Sequence, residues 1–199
     1  MKKFGLTGGV ACGKSTVGGM LQQWGWRVID TDAIAHRLYE PGMPAYQKIV
    51  DAFGPSVLKG DCTVDRASLG QLVFSDPEKR RLLNSLVHPL IRSAWQQEHN
   101  DHLLKHPEIP VFVIMPLLFE NRLESWFDAV ACVGCSRKEQ RARLAARGLD
   151  AKQVDQRIEA QWPLEVKMEK SQVVLWNNGS FACLEDQARE LNRLWQGNA

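Results

Sequence analysis

An α/β fold, with a parallel sheet flanked by helices, is the class this sequence predicts, and three observations carry the prediction. Short apolar runs alternate along the chain with stretches of helical periodicity, the order expected of strands joined by crossover helices. The clearest run, Val111 to Met115, is apolar without alternation, as a strand covered on both faces must be. The composition, 44% hydrophobic and 24% charged over 199 residues, is ordinary globular usage and is sufficient for a buried core.

Taken in order, Lys3 to Thr7 is the first predicted strand. The helix after it places Val17, Met20, Leu21 and Trp24 at helical spacing and ends at Gly25. Arg27 to Asp30 follows as a second strand, and Val111 to Met115, Ala129 to Val133 and Val173 to Leu175 complete a set of five. Between the second and third strands lie some eighty residues without a convincing strand. Helix starts do occur there, including Ser75-Asp76-Pro77, which sets a cap before a proline tolerated in the first turn. This stretch reads as an inserted helical lobe. Arg137 to Lys170 is helical and basic, with Arg141, Arg143, Arg147 and Arg157. No repeat or Ser/Gly linker separates these parts, so they read as insertions packed into one domain.

Charge and cysteine usage narrow the function classes. Lys plus Arg number 25 against 23 acids, a net charge of +2 that argues neither for nucleic acid nor for a membrane as partner. The basic N-terminus meets Gly8-Gly9 before a signal-peptide apolar stretch can form, and no run of about 18 apolar residues occurs. A cytoplasmic protein is expected. Five cysteines, an odd number in a chain with its own core, read as thiols.

The chemistry begins at Gly8-Gly9-Val10-Ala11-Cys12-Gly13-Lys14-Ser15, which fits G-x-x-x-x-G-K-S, with Thr16 next. The segment follows a predicted strand and opens a helix, so backbone N–H groups and the helix N-terminus can converge on a phosphate. Gly8 and Gly13 allow backbone that a Cβ would block, Lys14 would reach the β- and γ-phosphates of ATP, and the Ser15 hydroxyl would meet Mg²⁺. A phosphotransferase acting on a small molecule is the expected function. Val28-Ile29-Asp30-Thr31-Asp32 then sets two acids at the carboxyl end of the second strand, where parallel sheets place their ligand crevice. One of them could be a general base; equally, Thr31 or Asp32 could cap the helix that contains Ile34 and Leu38.

With these residues in place, the chain resembles the dephospho-CoA kinases. The resemblance is carried by Leu6-Thr7-Gly8-Gly9 running into Gly13-Lys14-Ser15-Thr16, then Val28-Ile29-Asp30-Thr31-Asp32 and Glu40-Pro41-Gly42. It continues through Asp65-Arg66, Leu69, Val73-Phe74, His88-Pro89-Leu90-Ile91, Pro116-Leu117-Leu118-Phe119-Glu120 and Asn177-Asn178-Gly179. It implies transfer of the γ-phosphoryl of ATP to the ribose 3′-hydroxyl of dephospho-CoA, the last step of coenzyme A synthesis. It also implies a P-loop kinase core (about 1–32, 108–136 and 162–199), a helical CoA-binding insertion (about 33–107) and a lid (about 137–161). By similarity Asp32 takes the acceptor proton, and Arg141, Arg143 and Arg147 are the lid's candidates for neutralising phosphate charge. Arg66, His88, Pro89 and Leu117 lie toward the acceptor and Asn177 toward adenine.

The chain departs from the family pattern at several places. Ala11 and Cys12 stand where family loops commonly carry Gly and Ser, and Ile114 stands where many members have an acid, which leaves Mg²⁺ to Ser15, the phosphates, water and Asp32. Ser171-Gln172 and Leu175-Trp176-Asn177 replace the usual Ala-Asp and Ile-Asp-Asn. Cys12, beside a helix N-terminus and Lys14, is expected to be a reactive thiol open to alkylation. Cys132 and Cys135, three apart, are expected on opposite faces of a strand and not as a metal pair. Asp51-Ala-Phe-Gly54 is expected to be a helix end, and His36, His99, His102 and His106 surface or helix-face residues and not ligands. Two rivals remain: a nucleoside or nucleotide kinase sharing the loop and lid, and a regulatory nucleotide switch or nucleic-acid ATPase, for which the guanine-reading and basic-face features are absent.

Overall fold

The buried run Phe4 to Gly8 makes β1 (Lys3–Gly8) the centre of the sheet, with parallel partners on both sides. The structure is a computed structural model that describes residues 2–196. Among the described residues the sheet holds five parallel strands in the order β2-β3-β1-β4-β5, with β2 (Arg27–Asp30), β3 (Val111–Ile114), β4 (Ala129–Gly134) and β5 (Val173–Trp176). The α/β expectation holds, and the strand edges shift only slightly. β1, β4 and β5 each run one residue farther than expected, while β3 stops at Ile114. Met115 still donates to the Leu6 carbonyl at 3.0 Å, but Pro116 has no N–H with which to extend the ladder.

One face of the sheet is covered by α1 (Lys14–Gln23) and α9 (Phe181–Gln196), which pack together. Beneath them lies an aromatic nucleus. Phe4 stacks on Trp195 with centroids 4.3 Å apart, and Trp26 meets Phe112 edge-on at 4.7 Å. The Trp26 indole N–H, which burial would otherwise leave unpaired, donates to Asn192 Oδ1 at 2.6 Å. The opposite face is covered by α8 (Leu164–Glu169), which packs on β1 and β4. Between β4 and α8 come α6 (Arg137–Ala145) and α7 (Ala151–Glu159), turned by Gly148 at φ +83°. Ser136 caps α6, and Asp150 forms a reciprocal capping box with Gln153 on α7.

The chain divides into two compact units: one of residues up to Asp30 together with those from Asp101 onward, the other Thr31–Asn100. The second unit holds α2 (Thr31–Leu38), α3 (Pro44–Phe53), α4 (Arg66–Ser75) and most of α5 (Pro77–Lys105). Its helices begin at side-chain caps. Asp65 accepts from the N–H groups of Ala67 and Ser68, and Asp76 accepts from Glu78 and Lys79 just ahead of Pro77. Asp51 to Gly54 is the end of α3, with Gly54 at φ +76°. Leu58 and Val64 form an antiparallel bridge that the sequence did not signal. Among the described residues no helix is long and apolar enough to cross a membrane.

Candidate active site

The loop from Gly8 to Ser15 leaves the end of β1 and enters α1, whose N-cap is Gly13 at φ +107°. Glycine is required at two of its positions. A Cβ on Gly8 would stand 2.1 Å from the Val133 carbonyl oxygen, and one on Gly13 would stand 2.5 Å from Asn177 Nδ2. Ala11 also lies in the left-handed region, at φ +59°, where its methyl carries a conformational cost that glycine does not.

What fixes the loop is the fate of its carbonyls. Lys14 folds back so that Nζ donates to Gly8 O at 3.2 Å and Gly9 O at 2.8 Å. The next three carbonyls each accept from a side chain outside the loop: Val10 O from Gln140 Nε2 at 2.9 Å, Ala11 O from Arg143 Nη1 at 3.3 Å, and Cys12 O from Asn177 Nδ2 at 2.8 Å. Arg143 also donates from Nη2 to Asn177 O at 2.8 Å, so α6 and the segment leaving β5 are tied to each other as well as to the loop. In a trans peptide the C=O and the following N–H point in opposite directions. Holding the Val10 and Cys12 carbonyls from outside therefore turns the Ala11 and Gly13 N–H groups the other way. Those amides, the N-terminus of α1 and the Lys14 ammonium together make a cationic concavity of the kind that binds phosphate.

The other predicted residues divide between the two units. Ser15 and Thr16 are exposed in the first turn of α1. Arg141 pairs with Asp155 of α7, and Arg147 is exposed beyond α6. Leu117 is half-buried just past β3. Asp32, Arg66, His88 and Pro89 belong to the Thr31–Asn100 unit. Asp32 sits exposed in the first turn of α2, where its charge suits the helix N-terminus; burial, with the Asp32 carboxylate adding to it, pushes the Tyr39 hydroxyl up to about 12. Arg66 is the exposed first residue of α4, and His88 and Pro89 lie within α5.

Cys12, expected to be a reactive thiol, is buried, with a relative exposure of 0%. Its Sγ accepts from Cys135 Sγ at 3.3 Å. That bond chiefly, with the nearby Lys14 ammonium, outweighs burial and brings the Cys12 thiol down to about 7, whereas burial lifts Cys132 to about 12. Cys135 lies one residue beyond β4, where its sulfur meets the loop. Beside this pair, a cavity of about 360 Å³ is lined by Gly9, Cys135, Gln140, Trp162, Leu164 and Trp176 among others.

Gln140, Cys135 and Lys167 were missed by sequence reasoning. Lys167 is fully buried, donating to Glu120 Oε1 at 2.7 Å and to Pro116 O at 2.8 Å, while Glu120 Oε1 also accepts the Trp162 N–H at 2.9 Å. This pair ties α8 and the exit of α7 to the segment carrying Leu117. A buried charge of this kind is costly to strip of its partner. The Pro-Leu-Leu-Phe-Glu element held the acid in plain view, but nothing in the sequence matched it to a lysine 47 positions later.

Comparison with known proteins identifies the family. The family model described as dephospho-CoA kinase matches residues 3–182. A dephospho-CoA kinase of Geobacillus kaustophilus is 43% identical over 193 residues, covering 96% of each chain. Among solved structures, a Thermus thermophilus protein superposes with TM-score 0.78 at 35% identity, covering 100% of this chain and 98% of that one. A dephospho-CoA kinase from Campylobacter jejuni superposes with TM-score 0.68 at 26% identity, covering 99% and 98%. The five-stranded P-loop kinase core, its phosphate loop and this similarity along nearly the whole chain agree, and the chain belongs to the dephospho-CoA kinase family.

Proposed function

We propose that this enzyme transfers the γ-phosphoryl of ATP to the ribose 3′-hydroxyl of dephospho-CoA, giving coenzyme A and ADP. The observation that carries the reading is the clamping of the Val10 and Cys12 carbonyls by Gln140 and Asn177, which turns the Ala11 and Gly13 amides the other way, available to a phosphate. In the reaction the 3′-oxygen attacks the γ-phosphorus, the bond to the β–γ bridging oxygen breaks, and the hydroxyl proton passes to a base. We assign that base to Asp32, two residues past the carboxyl end of β2 and exposed at the start of α2. Lys14 exchanges its loop carbonyls for the β- and γ-phosphate oxygens when ATP binds, and stabilises the charge carried through transfer.

Of the lid arginines, Arg143 already reaches the loop and organises it, while Arg141 and Arg147 would meet phosphate on lid closure. Arg66, His88, Pro89 and Leu117 are proposed for the acceptor side and Asn177 for the nucleotide side. The donor set suits a magnesium ion carried in on the phosphates: Ser15 offers an exposed hydroxyl, and among the described residues no group of three His, Cys, Asp or Glu is placed to hold a metal by itself. Such an ion spreads the charge of the β- and γ-phosphates. A cytoplasmic setting belongs to the same reading and accords with cysteines that are all free thiols. The test is to supply ATP with dephospho-CoA or with a panel of nucleosides and nucleotides, and to locate the new phosphate by phosphorus NMR. A 3′-phosphorylated product from dephospho-CoA alone is expected; faster turnover of a nucleoside or nucleotide would replace this reading with the rival kinase.

A further inference from the structure

We propose that Cys12 and Cys135 form an oxidisable dithiol, closed to a disulfide by hydrogen peroxide, that switches the phosphate loop off and is reset by a thiol reductant. The proposal rests on the loop being the ATP-phosphate site, and it adds a covalent control to that site. Its basis is geometric. The two sulfurs lie 3.3 Å apart although the residues are 123 positions apart in the chain, and both side chains are buried, at 0% and 1% exposure. A disulfide needs a separation of about 2.05 Å, so closure requires the sulfurs to approach by only roughly 1.3 Å.

The route in is short. Cys135 and Gly9 line the cavity of about 360 Å³, and Cys12 Sγ packs so closely under Gly9 that a Cβ there would stand 2.8 Å from it. Cys135 borders the cavity and Cys12 Sγ lies 3.3 Å from its sulfur, packed under Gly9, so a molecule the size of peroxide needs only a local opening of the loop at Gly9 to reach the Cys12 sulfur. The chemistry balances without any bound group. The Cys12 thiolate attacks one peroxide oxygen, the O–O bond breaks, and Cys12 sulfenic acid and hydroxide result. Cys135 then attacks the Cys12 sulfur, the S–S bond forms, and the sulfenic hydroxyl leaves with the Cys135 proton as water. Two thiols lose two electrons and peroxide becomes two waters. The order of attack follows the local fields, since Lys14 and the Cys135 donor favour charge on Cys12 and the same interaction keeps the proton on Cys135.

The consequence falls on the loop. Cys135 is anchored at the end of β4, which is paired on both sides, so the approach is made by Cys12. The Cys12 carbonyl is already held at 2.8 Å by Asn177, and its neighbours by Gln140 at 2.9 Å and Arg143 at 3.3 Å. A displacement of roughly 1 Å takes these bonds beyond hydrogen-bonding range, and the amides lose their direction toward phosphate.

The experiment uses the full chain in a C62S/C183S background, which removes the two exposed thiols. After treatment with peroxide, non-reducing peptide mass mapping should find Cys12 linked to Cys135, with the protein lighter by about 2 Da for two lost hydrogens. ATP titration calorimetry on the linked form should show affinity reduced at least about tenfold, near 1.4 kcal/mol, with both changes reversed by dithiothreitol. Adding Cys135→Ser should abolish the link, and peroxide should then leave that variant's ATP affinity at its own untreated value. Absence of the Cys12–Cys135 link, pairing of Cys12 with Cys132 instead, or a linked protein that binds ATP normally would each overturn the switch. Failure of the untreated protein to bind ATP would overturn the underlying reading of the loop, and the first titration detects that separately.

Discussion

The phosphate loop and the Thr31–Asn100 unit hold their functional side chains in opposite ways. In the loop every carbonyl from Gly8 to Cys12 has a defined donor, Cys12 is buried, and a Cβ at Gly8 or Gly13 would collide with a neighbour. In the other unit, Asp32, Arg66 and Pro89 are exposed on helices fixed by caps and a modest set of buried residues such as Ile34, Ile49, Leu69 and Trp95. The loop is built in advance for one charged group. The residues proposed for the acceptor side lie on regular helices, where on that reading a ligand would organise them at binding and contribute its own binding energy to do so.

That contrast predicts different phenotypes, beginning with chemistry on the displayed side. Asp32→Asn keeps shape and loses the basic charge, so kcat should fall by about 100- to 10,000-fold with dephospho-CoA affinity little changed in equilibrium binding. Near-normal kcat would end the base assignment, and a loss confined to ATP–Mg²⁺ affinity would move Asp32 to metal binding. On the loop, Lys14→Ala should lower kcat/KM by about 100- to 1,000-fold while the circular dichroism spectrum is retained, since the ammonium bonds loop carbonyls and is not part of the core. Undiminished phosphoryl transfer by the folded variant would remove the loop from the mechanism.

The supporting residues should matter less, and by separable amounts. Asn177→Ala deletes one donor to Cys12 O and should weaken ATP binding by about 5- to 10-fold through loop disorder, as a lost hydrogen bond of about 1 kcal/mol implies. A change in dephospho-CoA binding instead would show that the clamp serves the wrong substrate. The smallest effect is a gain. Ala11→Gly relieves the methyl at φ +59° and should stabilise the protein by up to about 1 kcal/mol despite a freer unfolded chain, raising Tm by about 2–4 °C in calorimetry. A lower Tm would mean that the methyl packs favourably enough to offset its backbone strain.

The same contrast explains how much was legible before any coordinates. Strands and phosphate loop were readable because both are local signals: β3 is an unbroken apolar run, and Gly8 and Gly13 stand where only glycine fits. Their partners were not. Gln140 looks like a surface residue of a basic helix yet is 4% exposed and bonded to Val10 O, a contact 130 positions away. Lys167 likewise lies in a short charged helix and is wholly buried against Glu120. Cys12 illustrates a local rule giving part of the answer: the neighbouring Lys14 does help to lower its thiol, but the fold also buries the sulfur and adds Cys135, 123 positions away, as its donor. Long-range pairing leaves no periodicity in the sequence, so such contacts become visible only when the sheet brings β1, β4 and β5 together.

The central claim is that clamped carbonyls direct the loop amides at the phosphates of ATP, and amide hydrogen exchange followed by NMR tests it at the atoms concerned. Exchange should slow from Gly9 to Thr16 when ATP is added, and adenosine, which lacks phosphate, should leave those amides unchanged. In the Asn177→Ala variant the ATP-induced protection should diminish first around Gly13, whose amide follows the released Cys12 carbonyl. Loop amides that exchange at the same rate with and without ATP, in a protein shown by calorimetry to have bound it, would contradict the account.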